Sequence, residues 1–128
     1  MMNKYRDKSD FEINKAVAEN VGIIDNLYIA EFYGEVIWNV SSNDIYNGFT
    51  SKKGWAFDPC NNPADAMPIV IENRISIESR FNGHYDEWYA SLQTNKILID
   101  ATGTNYYRVA MEVFLMMKEA ENENNNNS

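Results

Sequence analysis

Helical periodicity marks both ends of the chain. Ser9 and Glu12 have the spacing of a capping box, apolar residues recur behind them at helical intervals, and Gly22 follows as a stop signal. This pattern predicts a first helix over about residues 10–21. A second apolar stripe predicts a last helix over about residues 104–119, and it consists of Tyr106, Val109, Ala110, Val113, Phe114 and Met117.

Between these helices the apolar positions alternate, as they do in strands that bury one face. Val36, Trp38 and Val40 fall on one side of such a strand. The dipeptide Asn82-Gly83 favours a tight type I′ turn, and it therefore predicts a hairpin with aromatic-rich strands on either side. The predicted strand segments cover residues 35–40, 55–57, 75–81, 84–92 and 96–101.

A short central helix is predicted within the run FDPCNNPADAMPIVIENRISIE, residues 57–78. Asp65 is the expected N-cap, which places Pro68 at the third helical position, where its missing amide costs little. The helix is expected over about residues 66–72, with Asn73 as its left-handed terminator.

These elements together predict an α+β fold, in which a small antiparallel sheet of three to five strands packs against the N- and C-terminal helices plus a short central helix. With 128 residues and 45% hydrophobic residues, the chain suits one packed domain, expected over residues 1–121. The Asn-rich residues 122–128 are expected to be disordered. No apolar run approaches the ~18 residues of a membrane span and no secretory signal is present, so we expect a cytoplasmic protein with no membrane partner.

The charge of the chain changes which partners are expected. The formal net charge is −8, and the densest basic cluster is Lys52-Lys53. Proteins that bind nucleic acid directly neutralise phosphates with clustered Lys and Arg, so direct nucleic-acid binding is not expected. An acidic surface favours partners with a basic surface.

Candidate ligand chemistry is concentrated in the turn before the central helix. Asp58, Cys60 and Asn61 lie there, and His84, the only histidine, is a candidate partner for the only cysteine. These four residues are the candidate ligand-binding set, whereas the alternative is that the Asp and Asn side chains only cap turns. A single cysteine excludes an intrachain disulfide and a zinc site built on several cysteines. We predict no catalytic residue, metal site or cofactor.

Aromatic side chains form a second candidate set. Trp55, Tyr85, Trp88 and Tyr89 could line a protein-binding face, since Trp and Tyr are common in interface hot spots. Cross-strand aromatic packing explains the same residues without a partner. The apolar surface of the last helix is wider than one stripe, which indicates burial on most sides, a partner, or a homo-oligomer.

Three segments resemble a known family. The segments SDFEINKAVAE, FDPCNNPADAMPIVIENRISI and YYRVAMEVFLMMKE resemble, in this order, the NinX-like family of small lambdoid-phage accessory proteins. Two departures are Met67, where the family has tryptophan, and the segment Asn105-Tyr106-Tyr107-Arg108, where it has an Asn-Pro-Leu-Arg type of helix start. The resemblance implies a phage or prophage protein encoded near recombination and late-regulation genes, and it implies no particular activity.

The leading functional hypothesis is an accessory protein that binds a host or phage protein. A narrower form is an acidic decoy that inhibits a host nucleic-acid-handling or defence protein by occupying its basic surface. The alternative is a small ligand-binding or enzymatic domain that uses the turn cluster between Asp58 and Asp65.

Overall fold

The structure, a computed structural model, describes residues 2–21, 27–30, 35–38 and 55–126. The predicted strand end at residues 39–40 and the basic pair Lys52-Lys53 lie outside the described residues. In chain order the elements are α1 (Asp10–Val21), β1 (Leu27–Ala30), β2 (Glu35–Trp38), β3 (Trp55–Phe57), α2 (Pro63–Asn73), β4 (Ser76–Phe81), β5 (Asp86–Gln93), β6 (Leu98–Gly103) and α3 (Tyr106–Asn126).

The first helix begins at the predicted capping box. The Ser9 hydroxyl accepts the Glu12 amide at 3.1 Å, and Oε1 of Glu12 accepts the Ser9 amide at 3.4 Å. The helix buries Ile13, Val17 and Ala18 on one face. Its bounds, Asp10–Val21, confirm the prediction.

The strands form two antiparallel sheets within the described residues. Their orders are β1-β2-β3 and β4-β5-β6. In the second sheet Ile77 lies opposite Ala90, and Ala90 lies opposite Ala101. These residues belong to the face that packs towards α3, whereas the opposite face carries mostly polar residues. The predicted α+β class, with terminal helices flanking an antiparallel sheet, is confirmed.

The turn between β4 and β5 is centred one residue later than predicted. Phe81 pairs with Asp86 and the Asn82 amide donates to the Tyr85 carbonyl at 3.2 Å, so the two loop residues are Gly83 and His84 rather than Asn82 and Gly83. Oδ1 of Asn82 accepts the amides of His84 and Tyr85 at 2.9 and 3.1 Å. The prediction was wrong about the turn because the Asn82 side chain, rather than a type I′ backbone, organises this corner.

The central helix also begins earlier than predicted. Asn62, not Asp65, is the N-cap, and its Oδ1 accepts the Ala64 amide at 3.0 Å. Because the helix starts at Pro63, Pro68 is its sixth residue and lies beyond the first turn. The left-handed terminator is Arg74, with φ 56°, rather than Asn73.

The last helix lies at the centre of the core. Every residue from Val109 to Met117 is buried, and α1, α2 and the sheet of β4, β5 and β6 all contact this helix. Burial on most sides therefore explains its wide apolar surface. The helix continues to Asn126 instead of ending near Glu119. The division into one domain and a disordered tail stays a prediction, although the backbone of residues 122–126 is helical.

Candidate functional site

A polar network centred on Arg108 joins the first turn of α3 to the segment before α1. Nη1 of Arg108 lies 2.6 Å from Oδ1 of Asp10, and its Nε lies 2.7 Å from Oε2 of Glu112. Its Nη2 donates to the main-chain carbonyls of Tyr5 and Lys8 at 3.0 and 2.6 Å. One guanidinium thus fastens the N-terminal segment to α3, and most of its donors are occupied.

The turn before α2 extends this network. Oδ1 of Asp58 accepts Nδ2 of Asn14 at 2.8 Å and Nδ2 of Asn61 at 3.1 Å. Asn61 also donates to Asp10 at 3.1 Å and accepts from Asn105 at 3.0 Å. The structure therefore brings Asp58 and Asn61 together, and neighbouring side chains already bond their polar atoms.

Cys60 lies in the same turn but is sealed from solvent. Its side chain is buried, and its Sγ faces the carbonyl oxygen of Asp10 at 3.9 Å. Burial, followed by the negative charge of Asp10, raises the pKa of the Cys60 thiol. A buried, protonated thiol is a poor nucleophile.

The fourth candidate ligand residue lies elsewhere. His84 is exposed in the loop between β4 and β5. Within the described part of the chain, no hydrogen bond joins its side chain to Asp58 or Cys60. The predicted set thus divides into one turn, in which Cys60 is buried and Asn61 is exposed, and one separate exposed loop.

The carboxyl groups of Asp10 and Asp65 have pKa values shifted in opposite directions. Burial opposes ionisation of Asp10, but hydrogen bonds from Arg108 and Asn61 outweigh it and lower the pKa of Asp10. Burial raises the pKa of Asp65, and the charge of Asp58 adds to the effect. Oδ2 of Asp65 accepts the Asp58 amide at 3.0 Å, so this carboxylate has a structural use. No cluster of His, Cys, Asp or Glu suited to a metal ion occurs among the described residues.

The aromatic candidates do not share one surface. Trp88 and Tyr89 are neighbours on β5 and therefore point to opposite faces of the sheet. Trp88 packs edge-on against Tyr106, with ring centroids 4.9 Å apart, whereas Tyr85 is 54% exposed in the adjacent loop. Trp55 lies on β3, and its side chain is outside the described part of the structure. The interface role of these residues stays a prediction.

A cleft opens between the β5–β6 turn and the C-terminal part of α3. Its volume is about 480 Å³, and its apolar lining includes Ile97, Ile99 and Met117. Glu121 and Glu123 lie beside this lining. Lys96 also belongs to the lining, so the cleft is an apolar depression bordered by two carboxylates and one ammonium group.

The family comparison matches nearly the whole chain. The model described as bacteriophage P22, NinX, matches residues 4–118. The chain belongs to the NinX family. This confirms the resemblance, and membership in the NinX family makes the protein a phage accessory protein. No curated protein and no solved structure matches the chain.

The three segments that resemble the NinX family meet in the polar network. The first supplies Asp10 and Asn14, the second supplies Asp58 and Asn61, and the last supplies Arg108. Residues that are distant along the chain thus build one continuous hydrogen-bonded seam between α1, the central turn and α3.

Sequence reasoning missed several members of this seam. Asn14 and Glu112 are only 5% and 4% exposed, although each lies among apolar residues of a helix. A polar residue within an apolar stripe is a usable signal, because burial of such a group requires a partner. The partners themselves were not visible, since they come from other parts of the chain.

None of the described helices is both long enough and apolar enough to cross a lipid bilayer.

Proposed function

We propose that this phage accessory protein acts in the cytoplasm of the bacterial host by binding a host or phage protein through a basic, partly apolar segment of that partner. The cleft between the β5–β6 turn and α3 carries this proposal. Its volume of about 480 Å³ is ample for one or two side chains of a bound segment.

The composition of the cleft supports a partner of a particular chemistry. Ile97 and Leu98 remain 38% and 47% exposed on the turn and strand that border it. Glu121 and Glu123 are exposed on the neighbouring helix. A segment with an apolar anchor and adjacent Lys or Arg residues matches both features.

The position of the acidic residues supports a role outside folding. The last turns of a helix favour cations, since the helix dipole is negative there. The end of α3 has no basic residue in its last turn, and Glu119, Glu121 and Glu123 precede it. Glu119 bonds Lys4 and Tyr5, and Oε2 of Glu121 lies 3.6 Å from Nζ of Lys118. Glu121 and Glu123 are the carboxylates that border the cleft.

The narrower hypothesis of an acidic decoy requires more of the surface. A protein that mimics nucleic acid needs its carboxylates clustered on one face. Among the described residues, acidic side chains lie on all three helices and on β4, β5 and β6. Asp10 and Glu112 are also paired with Arg108, whose single positive charge offsets one of their two negative charges. The distribution therefore favours a local acidic cleft over a decoy that spans a whole face.

The alternative of a ligand-binding or enzymatic turn cluster has less support. Asp58 is bonded by Asn14 and Asn61, and Asp65 is bonded to the Asp58 amide. Cys60 is buried and His84 lies in another loop. No free acid–base pair is presented by these four residues.

The test begins with capture of the tagged full chain from phage-infected cells and identification of stoichiometric partners by mass spectrometry. The double variant Glu121→Gln/Glu123→Gln is then compared with Glu19→Gln/Glu72→Gln, which changes the charge equally on α1 and α2. We expect about tenfold weaker binding for the cleft variant only, and weaker binding at higher salt. Equal losses in both variants, or no stoichiometric partner, would overturn the proposal.

A further inference from the structure

Among the described residues, no strand pairs with the outer edge of β4. Within the described residues β4 pairs only with β5, and five of its six residues are exposed. The register from Ser76 to Phe81 is one-to-one, so β4 contains no bulge, and it contains no proline. Within β4 itself, the charges of Glu78 and Arg80 are therefore the one device that protects an edge strand.

The hydrogen-bond pattern shows which groups of β4 face outwards. The Asn82 amide donates to the Tyr85 carbonyl at 3.2 Å, and this pair continues the β4–β5 register. Hydrogen-bonded pairs alternate along an antiparallel ladder, so Arg80, Glu78 and Ser76 bond to β5. The N–H and C=O groups of the intervening residues, Ile77, Ser79 and Phe81, consequently point away from the sheet.

We propose that β4 pairs antiparallel with β4 of a second copy of this chain, about a two-fold axis at Ser79. In this register Ser79 faces its own counterpart, and Ile77 faces Phe81 of the other copy. The outward N–H and C=O groups of all three residues then bond across the axis. The product is a continuous six-stranded sheet with the order β6-β5-β4-β4-β5-β6.

The side chains of β4 are complementary in the same register. Glu78 of each copy lies directly opposite Arg80 of the other, at non-hydrogen-bonded positions where side chains are closest. The charges that would repel an unrelated strand thus attract an identical one. On the other face, the pairing covers Phe81, which is 69% exposed in the single chain.

Within its own chain the side chain of Arg80 is ordered by Tyr89 of β5 and by Glu78. The guanidinium carbon of Arg80 lies 3.4 Å from the centre of the Tyr89 ring, and its Nη2 lies 3.0 Å from Oε1 of Glu78. A side chain that is fixed before association loses less entropy on binding. Tyr89 is fixed in turn, since its hydroxyl donates to Asp100 at 3.0 Å.

The opposite charges of Glu78 and Arg80 allow a test in which a double variant should restore the dimer that each single variant weakens. Sedimentation equilibrium of the full chain at up to about 1 mM, where even a weak dimer is populated, should show a mass approaching twice 14.8 kDa. Glu78→Arg and Arg80→Glu each place like charges opposite one another, and we expect each to weaken the dimer at least about tenfold. The double swap Glu78→Arg/Arg80→Glu restores opposite pairs and should restore the dimer. Glu19→Arg makes the same change of charge as Glu78→Arg; it is the control for that variant and should leave the dimer unchanged.

The variant Ser79→Pro distinguishes a loss of strand pairing from a loss of folding. Ser79→Pro removes an outward amide that takes no part in the β4–β5 ladder, so it should give a folded monomer. A monomeric wild-type chain at all concentrations would overturn the proposal. A dimer that is unaffected by the single charge changes, or one that the double swap does not restore, would place the interface elsewhere and would also overturn it.

Discussion

At the scale of single residues, one guanidinium connects segments that are about a hundred positions apart. Arg108 bonds the carboxylates of Asp10 and Glu112 and the carbonyls of Tyr5 and Lys8. Burial opposes the charged form, but the two carboxylates outweigh it and raise the pKa of Arg108. The planar fork of an arginine suits this arrangement, whereas the single ammonium of a lysine cannot reach all four acceptors.

Arg108→Lys should therefore destabilise the fold while keeping the charge. We expect a loss of about 2 kcal/mol or more in the free energy of unfolding, because Glu112 stays buried with a poorer partner. Urea denaturation measures the loss, and we expect the m-value to stay unchanged. Arg6→Lys, on an exposed side chain of the same segment, is the control. Equal midpoints for the two variants would contradict a central role for Arg108.

Asp10 should contribute to stability in a defined pH range. Its pKa is lowered on folding from an ordinary value of 3.8, so its contribution is complete above that value. The contribution is lost as the pH falls through the lower pKa of the folded state. Asp10→Asn should therefore be less stable than wild type at neutral pH, and the difference should shrink in acid below 3.8. Urea midpoints across the pH range measure this, with the exposed Asp7→Asn as control. A difference that stays constant into acid would contradict the ion pair.

At the scale of elements, the central helix α2 contains a proline within its body, where proline disfavours helical structure. Asn62 caps it and Pro63 suits its first position, but Pro68 falls within the helix body. The Ala66 amide already donates to the Asn62 carbonyl at 3.0 Å, so the regular helical ladder has begun before Pro68. At position 68 the ladder lacks the amide that would bond the Ala64 carbonyl.

Replacement of this proline should stabilise the protein. We expect Pro68→Ala to raise the free energy of unfolding by about 1 kcal/mol, since it restores a helical hydrogen bond and Pro68 is exposed. Chemical denaturation measures the change. Pro63→Ala at the first helical position is the matched control and should give no gain. A lower midpoint for Pro68→Ala would show that the proline ring makes a packing contact worth more than the bond.

Local signals determined which elements were predictable from the sequence. The capping box of α1 is complete within four residues, so its start was predicted correctly. The helix also ends at Val21 as predicted, whereas the expected stop residue, Gly22, lies outside the described residues. In α2 both Asn62 and Asp65 suit an N-cap. In the structure Asn62 caps the helix by accepting the Ala64 amide, whereas Asp65 accepts the Asp58 amide from the preceding turn. The sequence alone does not distinguish these two uses.

The candidate site was less predictable, for two different physical reasons. The link from Arg108 to Asp10 depends on how α1 packs against α3, which no local pattern reveals. The aromatic set could have been corrected from the sequence alone. Trp88 and Tyr89 are adjacent on a strand, and the two-residue period places adjacent side chains on opposite faces.

At the scale of the whole molecule, the described elements are arranged around α3. The residues between Val109 and Met117 are buried by α1, α2 and the sheet that contains β5. The Arg108 seam closes one end of this core, and the acidic cleft lies beside the other end of the helix. Folding and the proposed binding role are thus assigned to different ends of the same helix.

This arrangement predicts a single cooperative unit, which native-state hydrogen exchange can measure. Amides of α1, of β5 and of α3 up to Met117 should exchange with one common free energy, equal to that of global unfolding, because none of these elements can leave the core without exposing the others. Amides of α3 beyond Met117 should exchange faster, since burial falls after this residue. The urea-derived stability of the same sample supplies the reference value. If the sheet of β4, β5 and β6 exchanged with a much lower free energy than α1, the chain would consist of two separable units, and residues 1–121 would not form one domain.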